Sequence, residues 1–471
     1  MSSVESFKPD QIIETLRKKM DYLDELGAFA ANLQYPDLPS EVRQQLGWVL
    51  ADTLAAIVAG SAEPEVRAMA EQVAHPGNAT LVGLGRGAST MEAALINGTS
   101  GTFLEMDEGN RFSRGHPAIH VLPAVLALCE AREVEANQFL AGLVAGYEIG
   151  SRMGAASQLR SALHPHGTWG TMGAAAGCAR VLGMDAQAMR EAVNTASSMS
   201  IATSKKTMLQ GGLVRNVYAG LSNSNGMLAS QLVQSGFGGE LDGPGSLLGE
   251  IVSERFDRSA VVRGLGQEWH LMQNYFKLHS CCRFNHGTLD ALDLLAAQDA
   301  LPAAEEIAAV QVFTYNLAAE LNDPAPRNTL AAKFSVPFAV ATRIVHGSSG
   351  LSSFTWDALR RPDVLALAAK VRVAEDPAMT SQLPHKRPAL VRITDRQGRE
   401  VQAEVGVNRG DDASPYTPEE LTRKFHELCG RIWPRAHADA LLNATLTLGE
   451  GRQDGRASFQ NWLELLRRPH S

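Results

Sequence analysis

The spacing of apolar residues changes twice along this chain, and those changes limit its fold more than any single motif does. Up to about residue 270 the spacing is helical. Pro9 stands where a first helical residue belongs, and Ile12, Leu16, Met20 and Leu23 follow on one face. Ser40 suits an N-cap, Glu41 the positive end of a helix dipole, and Gly60 a stop. Further helices are expected over 89–103, 123–132, 136–156, 167–182, 185–199 and 219–235. Gly170, Gly173, Ala174 and Gly177 put small residues on one of them, so another backbone can approach closely at some cost in helix propensity.

Beyond residue 270, helical stretches over 287–298 and 336–346 alternate with strand-like ones. Val310, Val312 and Thr314 lie two apart, as do Val371 and Val373, and Ala389 to Val405 reads as two strands about a Gln397-Gly398 turn. From Thr417, just before Pro418, the helical period returns through Leu421, Phe425 and Leu428. A chain of 471 residues exceeds what one compact core holds. The expected fold is mainly α: a large helical domain over 1–269, a smaller inserted α+β domain over 270–412, and C-terminal helices over 413–471 that rejoin the first.

The net charge of −8 has no basic excess behind it, which argues against a nucleic-acid or anionic-membrane surface. An acidic chain can still bind acidic substrates if it gathers its cations locally. Five cysteines without a CxxC spacing point to a reducing, cytoplasmic setting with free thiols. Met1 to Lys19 lacks the apolar stretch of a secretory signal. Leu46 to Gly60, interrupted by Asp52, is too short to span a bilayer and reads as a buried helix.

Four segments hold polar residues among glycines and prolines instead of along a solvated face. They are Glu105 to Gly109 with Arg114-Gly115-His116-Pro117, His164 to Gly170, Ser204-Lys205-Lys206 through Arg215 to Gly220, and Lys277 to His286. The resemblance they carry, to the MmgE/PrpD family, implies removal of a proton next to a carboxylate. That step builds an enolate-like dianion, which needs concentrated positive charge and hydrogen-bond donors, with histidine as the natural acid or base.

These segments resemble the MmgE/PrpD family. The acidic loop with Gly115-His116-Pro117 and Leu122-Pro123-Ala124, the His164 to Gly170 element, Arg215 to Gly220, Lys277 to His286, and Ala332-Lys333-Phe334-Ser335 with Pro337 occur in the family's order. The resemblance spans about 30 to 445. It implies a helical domain plus a smaller α+β domain, an active site in the cleft between them, and a homodimer. It also implies functional positions at Asp107, His116, His164, Arg215 and His286, with Tyr315 a looser match. Three positions depart from the pattern: Arg215 replaces a common lysine, Tyr218 a histidine, and His279-Ser280 the usual Tyr-Pro. Arginine stays protonated but grips a carboxylate with two hydrogen bonds. Arg215, helped by Lys277, is therefore expected to anchor substrate, with His116 and His164 as the acid/base pair. The helix start after His164 would also favour a bound carboxylate. Lys205 or Lys206 is the cation available to compensate for the missing lysine. His120, His166 and His279 read as structural, and Cys281 and Cys282 as small apolar packing residues.

Two rival classes are weaker. His116 and His120 are four apart, but Pro117 and Pro123 disfavour one helix presenting both to a metal, so no metal or cofactor is expected. Gly83 to Ala88 with Glu105 imitates a dinucleotide fingerprint, but no βαβ unit surrounds it, and a tight turn before the 89–103 helix is expected. The preferred reaction is dehydration of a 2-methylcitrate-like tricarboxylate. Decarboxylation of an aconitate-like acid and epimerisation of a dicarboxylate such as iminodisuccinate are the alternatives.

Overall fold

The computed structural model describes residues 21–451 and 456–468, so Pro9 to Met20 of the expected first helix lie outside it. Leu23 belongs to the helix Tyr22–Asn32, capped by Asp21. Helices Ser40–Ser61, Thr90–Thr102, Pro117–Arg132, Ala136–Ala156, Trp169–Val181, Ala186–Ser198 and Val217–Gln234 build the first part. The protein is mainly α, as expected.

Small residues set how these helices meet. A Cβ on Gly173 would stand 2.8 Å from Gly146 O, and one on Gly177 would stand 2.9 Å from Gly142 O, so two helix backbones lie in contact. Gly60 serves the same purpose and does not stop its helix. A Cβ there would fall 1.9 Å from Ser100 O, and the helix runs on to Ser61. Ser40 is the first helical residue and not the N-cap; Pro39 precedes it and makes no side-chain cap.

The helix expected from residue 123 begins at Pro117 instead, with Pro123 inside it. Proline leaves a carbonyl one turn back without its donor. Asn223 fills that gap: its Nδ2 donates to Ile119 O at 2.8 Å, and its Oδ1 accepts from Ala124 N at 2.9 Å. An Asn223→Ala protein should lose about 2–4 kcal/mol, since both buried groups would go unpaired. A urea unfolding midpoint close to that of the parent would contradict this account of the proline.

The glycine run closes an antiparallel hairpin between Ala79–Leu81 and Arg86–Ala88, with Gly83 at φ 80°. Ser89 then caps Thr90–Thr102 through a capping box with Glu92. The tight-turn reading describes this segment, which contains no βαβ unit.

In the second part a four-stranded sheet has the order Val371–Glu375, Ile307–Thr314, Ala389–Asp395, Glu400–Val405. The first pair is parallel and the others antiparallel. Val310, Val312, Val391 and Ile393 turn one face toward the helices His286–Ala297 and Val336–His346, in an apolar cluster of their own. Thr417 and Glu420 form a capping box at the start of Pro418–Cys429. Phe425, Leu428, Leu441 and Trp462 of the C-terminal helices share one cluster with Leu46, Leu50 and Leu54 of Ser40–Ser61. Among the described residues no single helix is long and apolar enough to cross a membrane.

Candidate active site

A cleft of about 830 Å³ opens where the helical part meets the sheet-bearing part. His116, His164 and Arg215 all line it. Its walls carry Arg114, Arg160, Lys205, Arg215, Arg283 and Arg387 against a single carboxylate, Glu105. A chain of net charge −8 has thus gathered six of its cations in one place.

His116 is the N-cap residue of Pro117–Arg132. Its Nδ1 lies 2.6 Å from Glu108 O, and a carbonyl only accepts, so Nδ1 carries the proton. Asp107 Oδ2 is 3.2 Å from the same nitrogen. The ring therefore keeps its Nε2 lone pair for the cleft, and a carboxylate stands ready to stabilise the imidazolium. Burial, then the Lys277 charge, hold His116 well below the usual imidazole pKa, so the ring rests neutral.

His164 is met by donors on both ring nitrogens. Leu163–His164 pairs with Thr203–Ser204, and the next turn brings His166 N–H to within 3.1 Å of His164 Nδ1, while Arg215 Nε–H donates to Nε2 at 3.3 Å. A neutral ring has one lone pair, so one of these two contacts gives way whichever nitrogen carries the proton, and a doubly protonated ring would oppose both donors. Burial and Arg215 hold His164 well below its ordinary pKa. Arg215 also pairs with Glu105 and lies over the Phe334 ring at 5.3 Å. Glu105 itself sits at φ 55°, an unusual conformation for a non-glycine residue.

Behind these groups is a buried charge network. Lys277 Nζ donates to Glu105 O at 3.1 Å and to Asp107 Oδ1 at 3.4 Å, with Glu105 Oε2 at 3.8 Å. Burial would push its pKa down, but Asp107 and then Glu105 outweigh that and raise it. Burial pushes the Glu108 carboxyl up to about 8. Lys424 adds a pair with Asp52 at 2.5 Å.

Several expected residues stand apart from the cleft wall. Asp107 and Lys277 are buried behind it and act on it through His116 and Glu105. His286 is fully buried, its Nδ1 2.9 Å from Arg283 Nη1 and its Nε2 3.2 Å from Cys281 O, so it braces Arg283. Tyr315 packs edge-on against Phe284 at 5.8 Å without reaching the cleft. Lys206 is exposed and outside the lining, whereas Lys205 lines the cleft, because the Thr203–Ser204 pairing aims it there. The helix after His164 starts only at Trp169, and none of Gly167 to Thr171 lines the cleft, so its N–H groups do not serve the anchoring role expected of them.

Other groups went unassigned in the sequence. His166, expected to be structural, lines the cleft, and its ring centroid lies 4.7, 4.8 and 5.1 Å from those of His164, His120 and His116. Arg283 and Arg114 lie inside the polar segments but were not singled out. Arg387 carries no motif at all. Cys282 also lines the cleft, but burial lifts its thiol to about 11, which suits packing and not reactivity. His279, Asp290 and Asp293 converge closely enough to hold a cation. Their ligand atoms are engaged with one another and with Ser349, Arg409 N and Arg343.

The chain is 24% identical to a cis-aconitate decarboxylase of Aspergillus terreus, covering 96% of this chain and 97% of that protein. A cis-aconitate decarboxylase-like protein, oryM, of Aspergillus oryzae is also 24% identical, over 90% of this chain and 94% of its own length. The cis-aconitate decarboxylase of Mus musculus is 24% identical over 74% of each chain. Family models for the MmgE/PrpD N-terminal and C-terminal domains match residues 24–243 and 279–448. The chain belongs to the MmgE/PrpD family.

Proposed function

We propose that this protein is a lyase that removes one carboxylate of an aconitate-like tricarboxylate as CO2. The observation that carries the reading is the meeting of His116, His164 and Arg215 on one cationic cleft, with the Nε2 lone pair of His116 left for that cleft. The decarboxylase names of relatives matched over nearly the whole chain favour this branch over the others.

Arg215 grips the carboxylate beside the reacting carbon with two parallel hydrogen bonds. The bond to the departing carboxylate breaks, its electron pair enters an allylic, enolate-like anion, and CO2 leaves. His164 stays neutral, because a doubly protonated ring would set N–H groups against both His166 N–H and Arg215 Nε–H, and it orients the guanidinium toward that charge. His116 is the proton carrier. Its imidazolium would keep Nδ1–H on Glu108 O and Asp107 while Nε2–H faces the cleft, so it protonates the far carbon and the double bond shifts.

Dehydration of a 2-methylcitrate-like acid is the second reading. It is favoured by the depressed pKa of His116, which leaves Nε2 ready to take a proton. Incubation with aconitate-, citrate- and aspartate-related acids in deuterated water, followed by NMR, separates the readings. Release of CO2 with one solvent deuterium on the product supports the decarboxylase. Loss of water supports the dehydratase, deuterium exchange alone indicates an epimerase, and inert substrates throughout would remove the whole class.

A further inference from the structure

The cations of the cleft differ in how they are neutralised. Arg215 pairs with Glu105, Arg283 with Asp411 and Lys205 with Glu320. Arg114, Arg160 and Arg387 form no ion pair among the described residues, and of the three only Arg387 is buried, at 4% exposed. A buried guanidinium without a counter-charge is costly unless an anion from outside completes it. Arg387 is also held in a fixed plane. It donates to Arg111 O at 3.1 Å and lies over the Tyr275 and Phe284 rings at 5.7 and 5.6 Å. Arg114 beside it sits at φ 57°, a strained backbone of the kind that accumulates at ligand sites.

Their position is informative. A second cavity of about 910 Å³ adjoins the histidine cleft, and Arg114 and Arg387 line both, with Phe284 and Leu317. We propose that Arg387 and Arg114 form a second carboxylate subsite at the junction of the two cavities, which holds the substrate's distal carboxylate while Arg215 holds the one beside the reacting carbon. The subsite rests on the polycarboxylate reading above and makes that reading more specific: it selects acids with two or more separated carboxylates.

The test uses the full-length protein and calorimetric titration with tricarballylate, a saturated tricarboxylate, alongside NMR titration with propionate. Arg387→Met should weaken tricarballylate roughly 10- to 100-fold, as expected for losing a charge-assisted pair, and leave propionate unchanged. Arg114→Gln, at an exposed residue, should weaken it in the same selective way and guards against a folding defect in the buried variant. If Arg215→Met weakens tricarballylate but neither of these variants does, the subsite is wrong and the polycarboxylate reading stands. If the parent protein binds no tricarballylate, both fail together.

Discussion

A His116→Asn protein should fold normally and turn over 100 to 10,000 times more slowly, the range for removing a positioned proton carrier. Asparagine keeps a donor for Glu108 O and is a favoured N-cap residue, although the His116 side chain itself makes no cap, so thermal unfolding should be little changed. The pH profile gives the second half of the result. Burial and Lys277 keep His116 neutral through the ordinary imidazole range. If protonated His116 supplies the proton, kcat/KM should rise about tenfold per unit as pH falls from 8 to 6.5, without levelling at 6.5, and the variant should lose this slope. A flat profile in the parent would assign His116 to proton abstraction instead. The same depression affects stability. Below pH 6.5 the unfolded chain takes up protons that the buried imidazoles of His116, His164 and His166 refuse, so stability should fall as pH drops below that value.

Lys277→Met should be the most damaging single change to the fold, costing about 3–5 kcal/mol in urea unfolding. The ammonium is fully buried and is the shared partner of Glu105 and Asp107. Methionine fills the space but strips Asp107 of its ion-pair partner, with a neutral His116 at 3.2 Å. Adding Asp107→Asn should recover part of the loss, more than the separate effects predict, because the two residues share one contact. Equal losses in the single and double variants would show that Lys277 acts through packing alone.

The sequence made the helical elements legible because their apolar faces repeat over many turns, and it made the sheet legible because Val310, Val312, Val391 and Ile393 alternate. It misled where one residue type serves two purposes. Gly60 resembled a stop but permits contact with Ser100, and Pro123 resembled a start but is tolerated because Asn223, a hundred positions away, completes the backbone. The site was legible for His116, His164 and Arg215, which lie in polar segments rich in glycine and proline. It was illegible for Arg387, whose role depends on the aromatic planes of Tyr275 and Phe284 that folding alone brings beneath it. His286 and Tyr315 look like site residues in one dimension, yet in three they stand behind Arg283 and Phe284.

The Glu105–Arg215 pair has a consequence for the working cycle. The guanidinium already holds a resident anion, so substrate enters by exchange, as one tenant displacing another. Only the surplus over Glu105 appears as affinity, which disfavours simple monovalent anions and keeps the pocket from clogging with salt. If the proposed loss of CO2 removes a charge from the guest, Glu105 should reclaim its seat and so favour product release.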